Sequence, residues 1–462
     1  MFLAREGISV KECRMQRTSG THLHLLRISL FAAFLAASGG GVSSATAAPT
    51  TAVSANDFLN SIGACVHIQH HQDAGKLIGP LKYAGVRAVR DGADGNFDMT
   101  GLRLLHEQAG VLVTFGPGSG AQEDELAKTL TACRELAAAG ALLAVEGPNE
   151  PNNFGGVTYH GQNSTKLKSW LPVAHFQQDL YQAVKGDAVL KDYPVYGVSE
   201  VGAEEDNSGL QYLTIPPGAG TLMPAGTHFA DFVNCHNYVC GHITGLIDNQ
   251  ATLAAATKPN AAIDHLFGNQ GLTWLKKFTG YTEAELDTLP KATTETGWRT
   301  DKTPAGDDRQ GKVLINVFLA QYKAGWAHTF IYEFADDSDG AFGFYQDDLT
   351  TPRKSAEYLH NFTAILADHD SLPSPGKLDY SIPEKPATVH DLLMEKHDGT
   401  FELAIWGERV EGADNVTVKL GKLFKSVRVY DPTIGTAPLQ TLGDVEAVSL
   451  VLGDHVQIIE CK

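Results

Sequence analysis

Between residues 62 and 367, short apolar runs alternate with helical patterns eight times. The runs fall at 62–68, 86–89, 111–115, 142–146, 195–199, 232–237, 292–295 and 329–334, each the length of a strand buried on both faces. Apolar residues at three- and four-residue spacing mark helices at 123–139, 173–184, 310–324 and 352–367 among the intervening segments. Strand and helix alternating eight times is the α/β pattern of a (β/α)8 TIM barrel, in which active-site residues stand at the C-terminal ends of the strands. The longest interruptions, 152–170 and 200–231, both follow strand ends and so overhang the catalytic face.

The flanks differ from this core. Arg27 precedes an apolar run at 28–37, and small residues then lead to Ala45-Thr46-Ala47, the cleavage pattern of a secretory signal peptide occupying 1–47. That run is too short for a membrane span, and no later stretch approaches the ~20 apolar residues a span needs. The expected location is therefore secreted or periplasmic. Past residue 367 the string DSLPSPGKLDYSIPEKP reads as a proline-rich crossing. Strand-like runs follow at 389–395, 401–406, 416–420, 427–430, 447–451 and 456–459, separated by turn residues such as Asp398-Gly399 and Gly453-Asp454. The expected organisation is a barrel over 48–370 and a small β-sandwich over 371–462.

The whole chain carries a formal charge of −18, and without residues 1–47 it holds 31 Lys and Arg against 52 Asp and Glu, or −21. Such a balance argues against nucleic acid or anionic membrane as partner and leaves a neutral glycan compatible. The five cysteines beyond the leader, Cys65, Cys133, Cys235, Cys240 and Cys461, are too few for a disulfide scaffold, and no C-x-x-C pair suggests a zinc ribbon. Cys235 and Cys240 bracket HNYV and are either a local bridge or two buried thiols.

Two glutamates gain meaning from strand position. VEGPNEPNNF carries Glu150 just past the fourth strand, and KATTETGWRT carries Glu295 at the end of the seventh. Breaking a glycosidic bond needs one carboxyl held protonated to assist the leaving oxygen and one held ionised to meet positive charge on the sugar. Two carboxyl groups across a cleft repel when both are charged, which separates their pKa values in that sense.

With this placement the chain resembles the clan A glycoside hydrolases, families 5, 30 and 39 among them. Those are retaining enzymes with an acid/base glutamate after strand four and a nucleophile glutamate on strand seven. The resemblance covers the barrel and implies Glu150 as acid/base and Glu295 as nucleophile, with hydrolysis of β-linked carbohydrate by double displacement. Asn149 matches the asparagine that holds the sugar's 2-hydroxyl, Arg90 the arginine beside the nucleophile, and His236 and Tyr238 the pair lining the site after strand six. His67 is a further sugar-contact candidate, and Trp170, Trp298 and Tyr332 are candidate stacking surfaces. The eighth strand departs from the pattern, offering Tyr332-Glu333-Phe334 where several families carry a tryptophan. No cofactor and no catalytic metal are expected.

Two other readings compete. HIQHH supplies His67, His70 and His71 after the first strand, and with Glu146, Glu200, His236 and Asp336 they can be cast as ligands of a metal-dependent barrel hydrolase. The usual pair there is H-x-H, and strand five offers a carboxylate where an imidazole is expected. The alternative from outside catalysis is a secreted barrel that binds a glycan without cleaving it.

Overall fold

The computed structural model describes residues 49–93, 95–151, 156–167, 169–199, 224, 226–234, 236, 288–338, 340–409 and 412–462. The chain divides into Met1–Thr46 and Ala47–Lys462, and every described residue belongs to the second unit. The expected leader, Glu200, Cys235, Tyr238 and Cys240 lie outside the described residues.

Eight strands form one parallel sheet: β1 Ile62–Cys65, β2 Ala88–Gly92, β3 Leu112–Gly116, β4 Leu142–Glu146, β5 Val195–Tyr196, β6 Val233–Asn234, β7 Lys291–Thr296 and β8 Trp326–Ile331. They are ordered β6-β7-β8-β1-β2-β3-β4-β5. A parallel bridge between Tyr196 and Phe232 joins the two ends, so the sheet closes as the expected barrel. Cys65, Ala88, Ala144, Tyr196, Ala292 and Phe330, one from each of six strands, pack together as an inner cluster. Side chains alternate along a strand, so Arg90, Glu146 and Thr294 continue the columns begun by Ala88, Ala144 and Ala292.

Around the sheet lie α1 Ala74–Ala84, α2 Thr100–Ala109, α3 Glu125–Ala138, α4 Leu171–Gly186, α5 Pro304–Lys323 and α6 Lys354–Ile365. Helix α5 starts ahead of the expected residue 310 because Thr303 caps it, its hydroxyl accepting the Gly306 N–H at 3.0 Å, with Pro304 as the first helical residue. The sequence pattern does not single out α1, whose glycines and Pro80 weaken the helical signal. It is held at its ends instead, by Asp73 accepting from the Gly75 N–H and by Gly85 at φ 71, a left-handed closure that suits glycine.

The C-terminal strands β9 Val389–Glu395, β10 Phe401–Gly407, β11 Asp414–Phe424, β12 Val427–Tyr430, β13 Val445–Leu452 and β14 Val456–Cys461 build the sandwich. Strands β12, β14, β10 and β9 share a six-stranded sheet, while β11 and β13 lie in a three-stranded one. The larger sheet is buried on both faces. Leu403, Ile405 and Ile459 join the sandwich core, whereas Ala404, Trp406 and Ile458 join the cluster that packs the barrel and its helices. Asn316 of α5 adds bonds from Nδ2 to the carbonyls of Gly407 at 3.3 Å and Asp454 at 3.2 Å. One expectation changes here. Thr50–Thr51 and Val53–Ser54, placed in the barrel by a boundary at residue 48, pair with Lys377–Leu378 and with β9, so the chain enters through the sandwich.

Candidate active site

Arg90 is the centre from which the site is organised. Its guanidinium donates to both oxygens of Glu146 at 2.9 and 3.1 Å, to Oε2 of Glu295 at 3.1 Å and to Oδ1 of Asn149 at 2.6 Å. Paired donors in a fixed fork give this residue the geometry to hold two carboxylates at once. Glu146 is 1% exposed and also accepts from Thr294 Oγ1 at 2.7 Å and Asn234 Nδ2 at 3.2 Å. These partners lie in the C-terminal half of a barrel strand or just beyond it, so the network knits β2, β4, β6 and β7 together at one face.

Glu295 reaches this network through an irregularity. On strict alternation, Thr294 and Glu295 point to opposite faces of β7. Yet Thr293 pairs with Thr329 and Thr296 with Ile331, three steps on β7 against two on β8. The extra residue lets Thr294 bond Glu146 while Glu295 still meets Arg90, a re-aiming that bulges provide beside active sites.

Glu150 is 3% exposed and adopts φ 39, a left-handed conformation that costs a non-glycine residue about 1–3 kcal/mol. Its surroundings hold it there. Asn149 is bridged to both Ser119 and Ser199, and the Glu150 N–H donates to the Ser199 carbonyl at 3.1 Å.

His236 joins the two glutamates. Its Nδ1 stands 2.5 Å from Oε1 of Glu150 and 3.4 Å from Oε2 of Glu295, and its Nε2 lies 3.1 Å from Thr294 Oγ1. One oxygen of each glutamate and a ring nitrogen of His236 fall within 4.8 Å of one another. Burial opposes charge on the ring, but the charge of Glu295 and the hydrogen bond and charge of Glu150 outweigh it and raise its pKa.

Of the remaining sequence candidates, His67 and Tyr332 form an adjacent group. His67 Nδ1 is 3.2 Å from Oε2 of Glu333 and 3.2 Å from Oδ2 of Asp337, and the Tyr332 hydroxyl donates to Asp337 Oδ2 at 3.3 Å. Burial disfavours a charged His67, yet its two carboxylate partners lift its pKa to about 10. Burial pushes Glu333 up to about 8 and Asp91, behind His67, to about 7. Trp298 is partly buried against the main hydrophobic core, and Trp170 is buried within it.

The ligand set of the metal-hydrolase reading does not gather among the described residues. His67 pairs with Glu333 and Asp337, His236 with Glu150 and Glu295, Glu146 with Arg90, and Asp336 with Arg353. The sequence reading omits Asn234 and Thr294 and names Glu146 only as a ligand in the metal-hydrolase alternative, not as a partner of Arg90. Glu146 had a signal, a carboxylate closing an otherwise apolar strand.

Arg90 also sets a stability expectation. Replacing it with Leu leaves Glu146 and Glu295 buried without their shared counter-charge, and the loss should be about 3–5 kcal/mol, measured as a lowered denaturant midpoint. A midpoint equal to that of wild type would mean that other groups compensate these carboxylates.

Three solved structures share this fold. The chain matches a family 39 glycoside hydrolase from the gut symbiont Bacteroides cellulosilyticus with a TM-score of 0.56 and 17% identity, over 89% of this chain and 82% of that one. A GH51 arabinofuranosidase from Xanthomonas axonopodis pv. citri aligns with a TM-score of 0.53 and 13% identity, over 90% and 98%. A GH30 endoxylanase from Clostridium papyrosolvens aligns with a TM-score of 0.51 and 11% identity, over 90% and 98%. All are clan A glycoside hydrolases, and the barrel described above is of their kind. No protein-family model and no curated protein matches the sequence.

Proposed function

We propose that this chain is a secreted retaining glycoside hydrolase that cleaves β-linked carbohydrate by double displacement, with Glu150 as acid/base and Glu295 as nucleophile. The observation that carries the reading is the close approach of the two carboxylates at one end of the barrel, with oxygens within 4.8 Å of each other. Retaining enzymes hold their two carboxyl groups about 5–5.5 Å apart, whereas inverting ones leave roughly 6.5–9.5 Å for a water.

In the first step Glu295 attacks the anomeric carbon from one face while Glu150 protonates the departing oxygen, and a covalent glycosyl-enzyme forms. Arg90 stabilises the charge of Glu295 until attack consumes it. His236 Nδ1, 2.5 Å from Glu150 Oε1, is the neighbour against which Glu150 holds the proton it delivers to the leaving group. In the second step Glu150 takes a proton from water, and the water oxygen displaces Glu295 with a second inversion at carbon. Asn149 accepts from Arg90 and donates to Ser119, and in this reading it is the residue that meets the sugar's 2-hydroxyl. Tyr238 is proposed to donate a further hydrogen bond to Glu295.

The test is digestion of a panel of polysaccharides, with products identified by mass and their first-formed anomer read by proton NMR. Retention of the substrate's configuration is expected. An inverted product would overturn the double displacement, and release of no reducing ends from any substrate would favour glycan binding without cleavage.

A further inference from the structure

The group at the seam of β8 and β1 is given no step in that chemistry, and its side chains converge on one point. His67 Nδ1 stands 3.2 Å from Glu333 Oε2 and 3.2 Å from Asp337 Oδ2, and the three atoms lie within 4.8 Å of one another. Donors bound to one tetrahedral zinc at 2.0–2.2 Å stand about 3.4 Å apart. Nδ1 of His67 and Oε2 of Glu333 are both buried, and at 3.2 Å neither makes a hydrogen bond of acceptable geometry. The Glu333 side chain is 1% exposed.

The two carboxylates are held from behind. Oε1 of Glu333 accepts the Asp337 N–H at 3.1 Å, and Asp337 Oδ2 accepts the Tyr332 hydroxyl at 3.3 Å. Outer partners of this type orient ligands at metal centres. The His67 ring packs beside His70 and Tyr332, with centroids 5.6 and 5.5 Å away.

We propose that His67, Glu333 and Asp337 bind a divalent cation of the zinc class, with a fourth position open to solvent between the partly exposed side chains of His67 and Asp337. One imidazole and two carboxylates suit such an ion. His67 follows β1, while Glu333 and Asp337 follow β8, so the ion ties these two strand ends across the seam. His67, expected from the sequence as a sugar contact, acts here as a metal ligand. The site shares no residue with the Glu150–His236–Glu295 group and is tested without substrate.

The experiment uses the full chain, stripped with chelator, dialysed and titrated with zinc chloride by calorimetry, with bound zinc counted by mass spectrometry. One zinc per chain is expected at this site, with affinity reduced at least about 10-fold in His67→Gln and Asp337→Asn. Both positions are partly exposed, and circular dichroism checks that each variant is folded. Because Glu150, His236 and Glu295 also bring three donors together, Glu150→Gln is the control and should bind zinc as wild type does. Cobalt(II) gives a second reading, a visible absorption band in wild type that His67→Gln lacks. Failure of the wild type to bind zinc, or binding lost in Glu150→Gln and kept in Asp337→Asn, would overturn the assignment.

Discussion

Glu295→Gly should lower kcat by on the order of 10^4-fold or more, and azide should restore part of the lost rate while giving a product of inverted configuration. The variant removes the proposed nucleophile and leaves a space at the anomeric face that a small anion can occupy. Azide then attacks directly, one displacement replaces two, and the sugar keeps the inversion of that single step. Arg90 remains in place beside the vacancy and still pairs with Glu146, the more buried of its two carboxylate partners. Glu146 is the alternative carboxylate that a sceptic would nominate, since it too contacts Arg90. Its four hydrogen bonds from Arg90, Asn234 and Thr294 occupy its oxygens and leave it poorly placed to attack. An azide product of retained configuration from Glu295→Gly would remove Glu295 from the nucleophile role.

Glu150→Ala should behave differently, and the difference separates the two carboxylates. Loss of the general acid should slow cleavage of substrates with poor leaving groups by about 10^2–10^4-fold, while an activated aryl glycoside, which departs without a proton, should lose far less in the glycosylation step. Deglycosylation then lacks its base. Azide, which needs no deprotonation, should accelerate it and return a glycosyl azide of retained configuration. The alkaline limb of the pH profile for kcat/KM should flatten because the group that must stay protonated is gone. His236 keeps the neighbouring charge of Glu295 in this variant, so part of the cause that raises its pKa survives. Equal losses for good and poor leaving groups would move the acid/base role elsewhere.

Much of the architecture was legible along the chain. Strand β4 ends where its apolar run ends at Glu146, and β9 and β12 keep the bounds of their apolar runs. These elements are written in alternation and burial over a handful of neighbouring residues, and that local pattern survives whatever the rest of the chain does. Glu150 and Glu295 were visible for the same reason, as carboxylates at the ends of strands whose order could be counted. Helix α1 was not, because two end caps rather than interior propensity stabilise it.

What the side chains at those strand ends touch belongs to the tertiary structure. Arg90 meets Glu146 across 56 residues and Glu295 across 205, and nothing in any local window distinguishes one partner from both. Ring closure through Tyr196 and Phe232 sets which strand ends face each other. The slip between Thr293 and Thr296 then decides that Glu295 turns inward alongside Thr294. Parallel pairing of β8 with β1 hands His67 to Glu333 and Asp337 rather than to His236. The amino-acid sequence by itself determined the eight-fold alternation, the appended sandwich and the two carboxylates at strand ends, because each is a property of neighbouring residues. Partner choice and the one-residue register slip had to wait for the closed barrel, because only there do groups hundreds of residues apart come within hydrogen-bonding distance.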